Sequence, residues 1–151
     1  MPRMSQGETA KEGLESLNNL PEKDKAYIAR LPIKVTLETP GYPEMKAMMG
    51  DHTNGTKTMN FIAAQAIKDA TMAESILENM KAGQTFIHYN GNYHSKEFGG
   101  IYWYINQKNP HLKMAVISVF ESEDPDLRIP EKDYKPTDFN LIIPADMTKT
   151  Y

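Results

Sequence analysis

Between Met59 and Met80 apolar side chains recur at Met59, Ile62, Ala63, Ala66, Ile67, Ala70, Ala73, Ile76, Leu77 and Met80. This three-and-four spacing marks one face of a helix, with Gly83 beyond it as a stop. The period then changes. "QTFIHYN" and "KMAVISVF" are compact apolar runs of strand length, which predict strands over 85–89 and 113–120. Between them lies a helix pattern that must end at Asn109-Pro110, because the residue before a proline is pushed out of the helical region. A strand-helix-strand unit predicts two parallel, neighbouring strands. "KMAVISVF" is apolar on both faces, the pattern of a strand covered from both sides. "FNLIIPAD" predicts a further strand over 139–143, and Lys34 to Glu38 a short one. In the first third, "TAKEGLESLNN", "PEKDKAYIAR" and "EMKAMMG" predict short helices, the second opened by Pro21 and closed before Pro32. The expected fold is α/β, a small, mostly parallel sheet flanked by helices.

Two features stand out against this frame. At about 100° per residue, the apolar arc of 59–80 contains Asp69 near its middle and Gln65 at its flank. A carboxylate pointing inward is costly unless a polar group meets it. Asp69 is therefore either a structural tie to a neighbouring loop or part of a site. The second feature is the loop "NGNYHSKEFGG", which follows the predicted strand 85–89 and occupies the place where open parallel sheets gather ligands. His94 lies in that loop. His88 falls inside the strand run, where a structural role is the simpler reading. Tyr89, Tyr93, Tyr102, Trp103 and Tyr104 either line a flat apolar ligand or fill the core. Gly99-Gly100 at a helix start either presents amides to an anion or makes the turn. His52 and His111 lie in polar connections with no visible partner.

Charge and composition narrow the functional classes. The 17 basic and 20 acidic residues give a net charge of -3, and the basic ones are scattered, so nucleic acid is not an expected partner. With no cysteine, disulfides, thiolate zinc and cysteine nucleophiles are excluded. No apolar run reaches the length of a membrane span, and "MPRMSQGETAKEG" lacks the apolar centre of a signal peptide. A chain of 151 residues predicts one domain over 1–151. It divides into a helical and irregular segment, 1–57, and a helix-strand-helix-strand-strand core, 58–151.

"AAQAIKDATMAESIL", "FIHYNGNYHSKEFGGIYWYI" and "NPHLKMAVISV" together resemble the C-terminal half of the ChaN-like haem-binding uptake proteins, whose superfamily includes the Tiki and TraB proteins. Upstream, "PRMSQGETAKEGLESLNNLPEKDKAYIARLP" is similar to the family's middle segment, so the resemblance covers nearly the whole chain. Gly91 and His94 match its second Gly-x-x-His motif, and Gln65 and Asp69 the polar positions of its Ala-Gln helix. Gly100-Ile101-Tyr102 departs from the family's Gly-Ile-Pro. The family's first Gly-x-x-His motif and its glutamates have no counterpart here, so the chain reads as an incomplete domain, a C-terminal portion with half of the site.

The resemblance implies haem binding linked to iron uptake, at the cell envelope or periplasm. His94 is then the favoured iron ligand and Tyr93 or Tyr102 a tyrosine ligand, with Gly91 and His88 completing the haem-binding set. Gln65 and Asp69 would support His94. The alternative is a Tiki-like metal-dependent hydrolase half-site holding a divalent metal at His94 and Asp69; with so few ligands, the isolated chain is a poor enzyme candidate. A degenerate domain without ligand is the third reading. A narrow sheet with an exposed edge implies a homodimer, or association with the missing N-terminal half.

Overall fold

The structure, a computed structural model, describes residues 9, 11–50, 55–131, 134 and 136–147. Among the described residues Thr9, Lys11 and Glu12 are helical, followed by α1 (Glu22–Lys25), α2 (Tyr42–Met48), α3 (Gly55–Asn79) and α4 (Gly100–Lys108), with 3-10 turns at Leu14–Asn19, Asn92–His94 and Lys96–Phe98. The strands are β1 (Ile117–Ser122) and β2 (Phe139–Pro144), paired in parallel from Ile117↔Phe139 to Ser122↔Pro144. The fold is thus a small α/β arrangement: a helical body and a two-stranded parallel sheet.

The apolar stripe of the sequence becomes the buried face of α3. Ile62, Ala66, Ile67, Ala70 and Ala73 pack against Ile101, Tyr104 and Ile105 of α4, and Tyr42, Leu17, Ile28 and Ile33 close the cluster. Alanines along α3 let α4 approach closely, since interhelix distance follows the size of the side chains at the contact. An ion-pair network anchors the far end: Glu74 of α3 holds Arg30 at 3.1 Å and also Lys108 of α4, and Arg30 reaches Glu78 at 3.1 Å.

Several expected elements differ. The first predicted helix is broken at Gly13, where φ is 84°, and continues as a 3-10 turn. The second shrinks to α1, with Pro21 as its N-cap in place of the first helical residue. Lys34 to Glu38 forms no strand. The largest correction concerns 85–89. It is not a strand, and Ile87 and Tyr89 are 69% and 88% exposed. Apolar alternation expresses a local preference, but a strand exists only where a neighbour takes its amides. The parallel partner of β1 is β2, supplied by the C-terminal run.

The strand in "KMAVISVF" also starts later than expected. Asp138 Oδ2 accepts the Val116 N–H at 2.7 Å, and the ladder begins one residue on. Nor is β1 covered on both sides. Ser118 and Ser122 face the connecting loop, where the Ser122 hydroxyl donates to the Arg128 carbonyl at 2.6 Å. The opposite face leaves Ile117, Val119, Phe139 and Leu141 exposed. None of these strand residues joins the helical core.

Candidate functional site

Asp69 sits mid-way along α3 on its buried face and is 0% exposed. Two elements bring donors to it. The first turn of α2 delivers Tyr42, whose hydroxyl donates to Asp69 Oδ2 at 2.8 Å. The 3-10 turn Asn92–His94 delivers His94, whose Nδ1 lies 2.5 Å from Asp69 Oδ1. Gln65, one turn earlier on α3, places its side-chain nitrogen 2.8 Å from His94 Nδ1 and 3.4 Å from Asp69 Oδ1. With the His94 Nδ1 proton donated to the carboxylate, both nitrogens converge on the same oxygen. Among the described residues nothing bonds His94 Nε2.

Backbone economy makes this convergence feasible. Glu97 and Phe98 both adopt left-handed φ, 57° and 60°, and turn the chain back sharply after His94. Gly99 and Gly100 then run so close to other backbone that a Cβ at either would strike a carbonyl, that of Pro40 or that of His94. A Gly100 Cβ would also lie 3.0 Å from Asp69 Oδ2. The glycine pair thus serves close packing of α4's start against Asp69. Lys96 reinforces the loop by donating to Glu44 of α2 at 2.6 Å.

Burial pushes the Asp69 carboxyl up from its ordinary value, while the hydrogen bonds from His94 and Tyr42 pull it back down only in part. Burial, then the Asp69 charge, drives the Tyr42 hydroxyl far above the usual tyrosine range, so Tyr42 stays a donor. Burial also raises Tyr104, whose hydroxyl donates to the Lys34 carbonyl at 2.7 Å.

The other candidates are distributed around this cluster. Gly91 borders the His94 ring, a Cβ there falling 3.9 Å from Cδ2. Tyr93 is exposed, with the Lys96 ammonium 4.2 Å from its ring centroid. Tyr102 is half-buried against Phe98, ring centroids 5.0 Å apart. His88 is elsewhere. It lines a groove of about 640 Å³ with Tyr27, Arg30, Met72 and Phe86, together with α3 residues Thr71, Ser75 and Glu78. The α3 lining of the groove runs from Thr71 to Asn79, toward the C-terminal end of the helix from Asp69, and does not include His94. His111 is exposed, and His52 lies outside the described residues. Tyr42 was missed by sequence reasoning; its only signal was an aromatic between glycine and proline in "TPGYP".

On this small α/β body a buried carboxylate meets a loop histidine and a tyrosine. Residues 1–105 match the family model described as haem-binding uptake, Tiki superfamily, ChaN, and the chain belongs to that family. No curated protein and no solved structure matches it. The match takes in Gln65, Asp69, His88, Gly91, Tyr93, His94 and Tyr102, and ends within α4, before either strand.

Proposed function

We propose that the chain binds haem through His94 Nε2 and serves haem or iron uptake. The observation that carries this reading is the fixed imidazole: Nδ1 is tied at 2.5 Å to a fully buried carboxylate, and Nε2 has no bond among the described residues. Metal-ligating histidines share this arrangement, in which the second nitrogen's partner sets tautomer and ring orientation. Imidazole, with the phenol of Tyr93 on the adjoining residue, is a donor type that fits a porphyrin iron. Bound haem would supply an iron centre with an open coordination position. Asp69 acts through His94, not beside it, because its two oxygens already face Tyr42 and His94. Tyr93 is the more accessible of the two candidate tyrosines and the one proposed near the porphyrin.

A divalent-metal hydrolase is less well supported, since no group of three or more histidine and carboxylate side chains among the described residues is arranged to hold a metal. A second copy of the chain is the proposed protein partner. Ile117, Val119, Phe139 and Leu141 form an exposed apolar face with Glu121 at its end, and a second copy seated on it would remove that apolar surface from water. Among the described residues, no helix is long and apolar enough to cross a membrane.

Haem titration tests the ligand assignment. His94→Ala is expected to lose the Soret shift of the wild type, whereas His88→Ala and His111→Ala retain it. Equal spectra and affinities across the three variants would remove His94 as the ligand.

A further inference from the structure

We propose that the 85–89 segment becomes a strand by pairing with the same segment of a second copy, laid antiparallel about a two-fold axis at Ile87. The proposal rests on the second-copy reading above and is independent of the haem reading.

From 84 to 91 the chain runs without a turn or bend, yet among the described residues no hydrogen bond holds the backbone of Thr85, Phe86, Ile87, His88 or Tyr89. Backbone donors and acceptors are obligatory hydrogen-bonding groups, and a row of free ones is a template for another strand. The side chains already alternate as a strand's do. Phe86 and His88 line the groove beside Tyr27 and Met72, whereas Thr85, Ile87 and Tyr89 do not, and Ile87 and Tyr89 are 69% and 88% exposed.

Charge selects the occupant. In a chain that is 25% charged, no Asp, Glu, Lys or Arg falls between Lys81 and Lys96. In the groove Arg30 is already paired with Glu74 and Glu78, and Lys25 with Glu22. Nothing here calls for a charged peptide, and the segment is itself an uncharged, apolar strand of the kind that fits. Symmetry then sets the register. An axis at Ile87 places Thr85 opposite the second copy's Tyr89 and Phe86 opposite the second copy's His88. Each pair joins residues of one face, and Thr85 with Tyr89 is a β-branched residue against an aromatic ring. An axis at His88 would instead set two imidazoles against each other. Two short strands are marginal alone, so this pairing assists association through the sheet face and does not replace it.

The natural chain has no cysteine, so one introduced thiol reports the register. Across the proposed axis the two copies of residue 87 have Cβ atoms about 4.5–5.5 Å apart. The two copies of residue 89 are offset by four residues, about 13 Å, beyond the reach of a disulfide. Under mild oxidation Ile87→Cys should therefore form a disulfide-linked dimer at least about tenfold faster than Tyr89→Cys, although Tyr89 is the more exposed position. In the wild type, amide exchange followed by NMR should slow with rising chain concentration at every second residue of 85–89. Equal crosslinking rates, or a faster Tyr89→Cys, overturn the pairing, as does exchange that concentration leaves unchanged. If light scattering then still shows association, the second copy stays as partner at the sheet face. A wild type that is monomeric at high concentration overturns both.

Discussion

In the helical body Leu17, Ile62 and Ile67 are 0% exposed, whereas in the sheet Ile117 and Phe139 are 63% and 62% exposed. Both regions are rich in apolar residues, so composition does not explain the contrast. The body has α3, whose long stripe meets α4, α2 and the chain before them on successive turns. The sheet has two strands and a loop, and the loop covers one face only. Parallel sheets are normally covered on both faces, which makes the open face of β1 and β2 the unfinished part of this molecule. The candidate site follows the same division. His94 and Asp69 belong to the finished body, and the family match stops before the sheet begins.

The contrast is most sharply tested by removing equivalent side chains from each region. Ile67→Ala should cost about 2–5 kcal/mol of unfolding free energy, because it empties a filled core position. Ile117→Ala should cost less than about 0.5 kcal/mol, as an exposed position gives up little burial. Urea denaturation measures both. Comparable losses would mean that the sheet face is covered after all.

Polar burial gives the next effect. Asp69→Leu leaves the Tyr42 hydroxyl and the His94 Nδ1 proton without their acceptor, at a cost of about 1–3 kcal/mol. A more stable Asp69→Leu chain with unchanged haem binding would show that the cluster serves neither packing nor ligand.

On the sheet, Ile117→Lys together with Phe139→Lys is expected to abolish concentration-dependent association in light scattering while the urea midpoint of the dilute chain stays put. A wild type that remains monomeric at high concentration would remove the second copy as partner.

The smallest effect comes from Glu74. Burial alone would raise its carboxyl, but the hydrogen bond from Lys108 and the neighbouring Arg30 outweigh that and hold it below the ordinary 4.5. A depressed folded value means that the contribution is complete above the unfolded value and is lost as pH falls through the folded one. Stability should therefore decline on acidification below about pH 4.5, by no more than about 1 kcal/mol for this partly exposed network. Glu74→Gln should flatten that part of the pH profile in urea titrations, and an unaltered profile would exclude the network as its source.

Much of the helical body was legible because helix formation is local. The spacing from Ile62 to Ile76 needs only its own chain to define a face, and Asp69 betrayed itself by interrupting that face. The proline at 110 marked the end of α4 for an equally local reason, a clash with the preceding residue. The loop position of His94 and its kinship with the Gly-x-x-His motif were likewise visible, but its hydrogen-bond partner was not.

Strands were less legible because each depends on a neighbour remote in sequence. "QTFIHYN" has the composition of a strand and remains unpaired, while β1 found its partner across a loop that carries no signal of pairing. Gly99 and Gly100 looked equally suited to binding an anion or to turning the chain; the nearby carbonyls of Pro40 and His94 decided for close packing. Tyr42 was hidden for a similar reason. Nothing in its own neighbourhood indicates that its hydroxyl will meet a carboxylate 27 residues away. The sequence alone determined the long helix, its inward carboxylate and the loop histidine, since each is written in spacing or motif. Only the tertiary structure joined Tyr42, Asp69 and His94 into one network and left the sheet face open, because the energy of a buried charge and the existence of a strand both reside in partners that the local sequence does not specify.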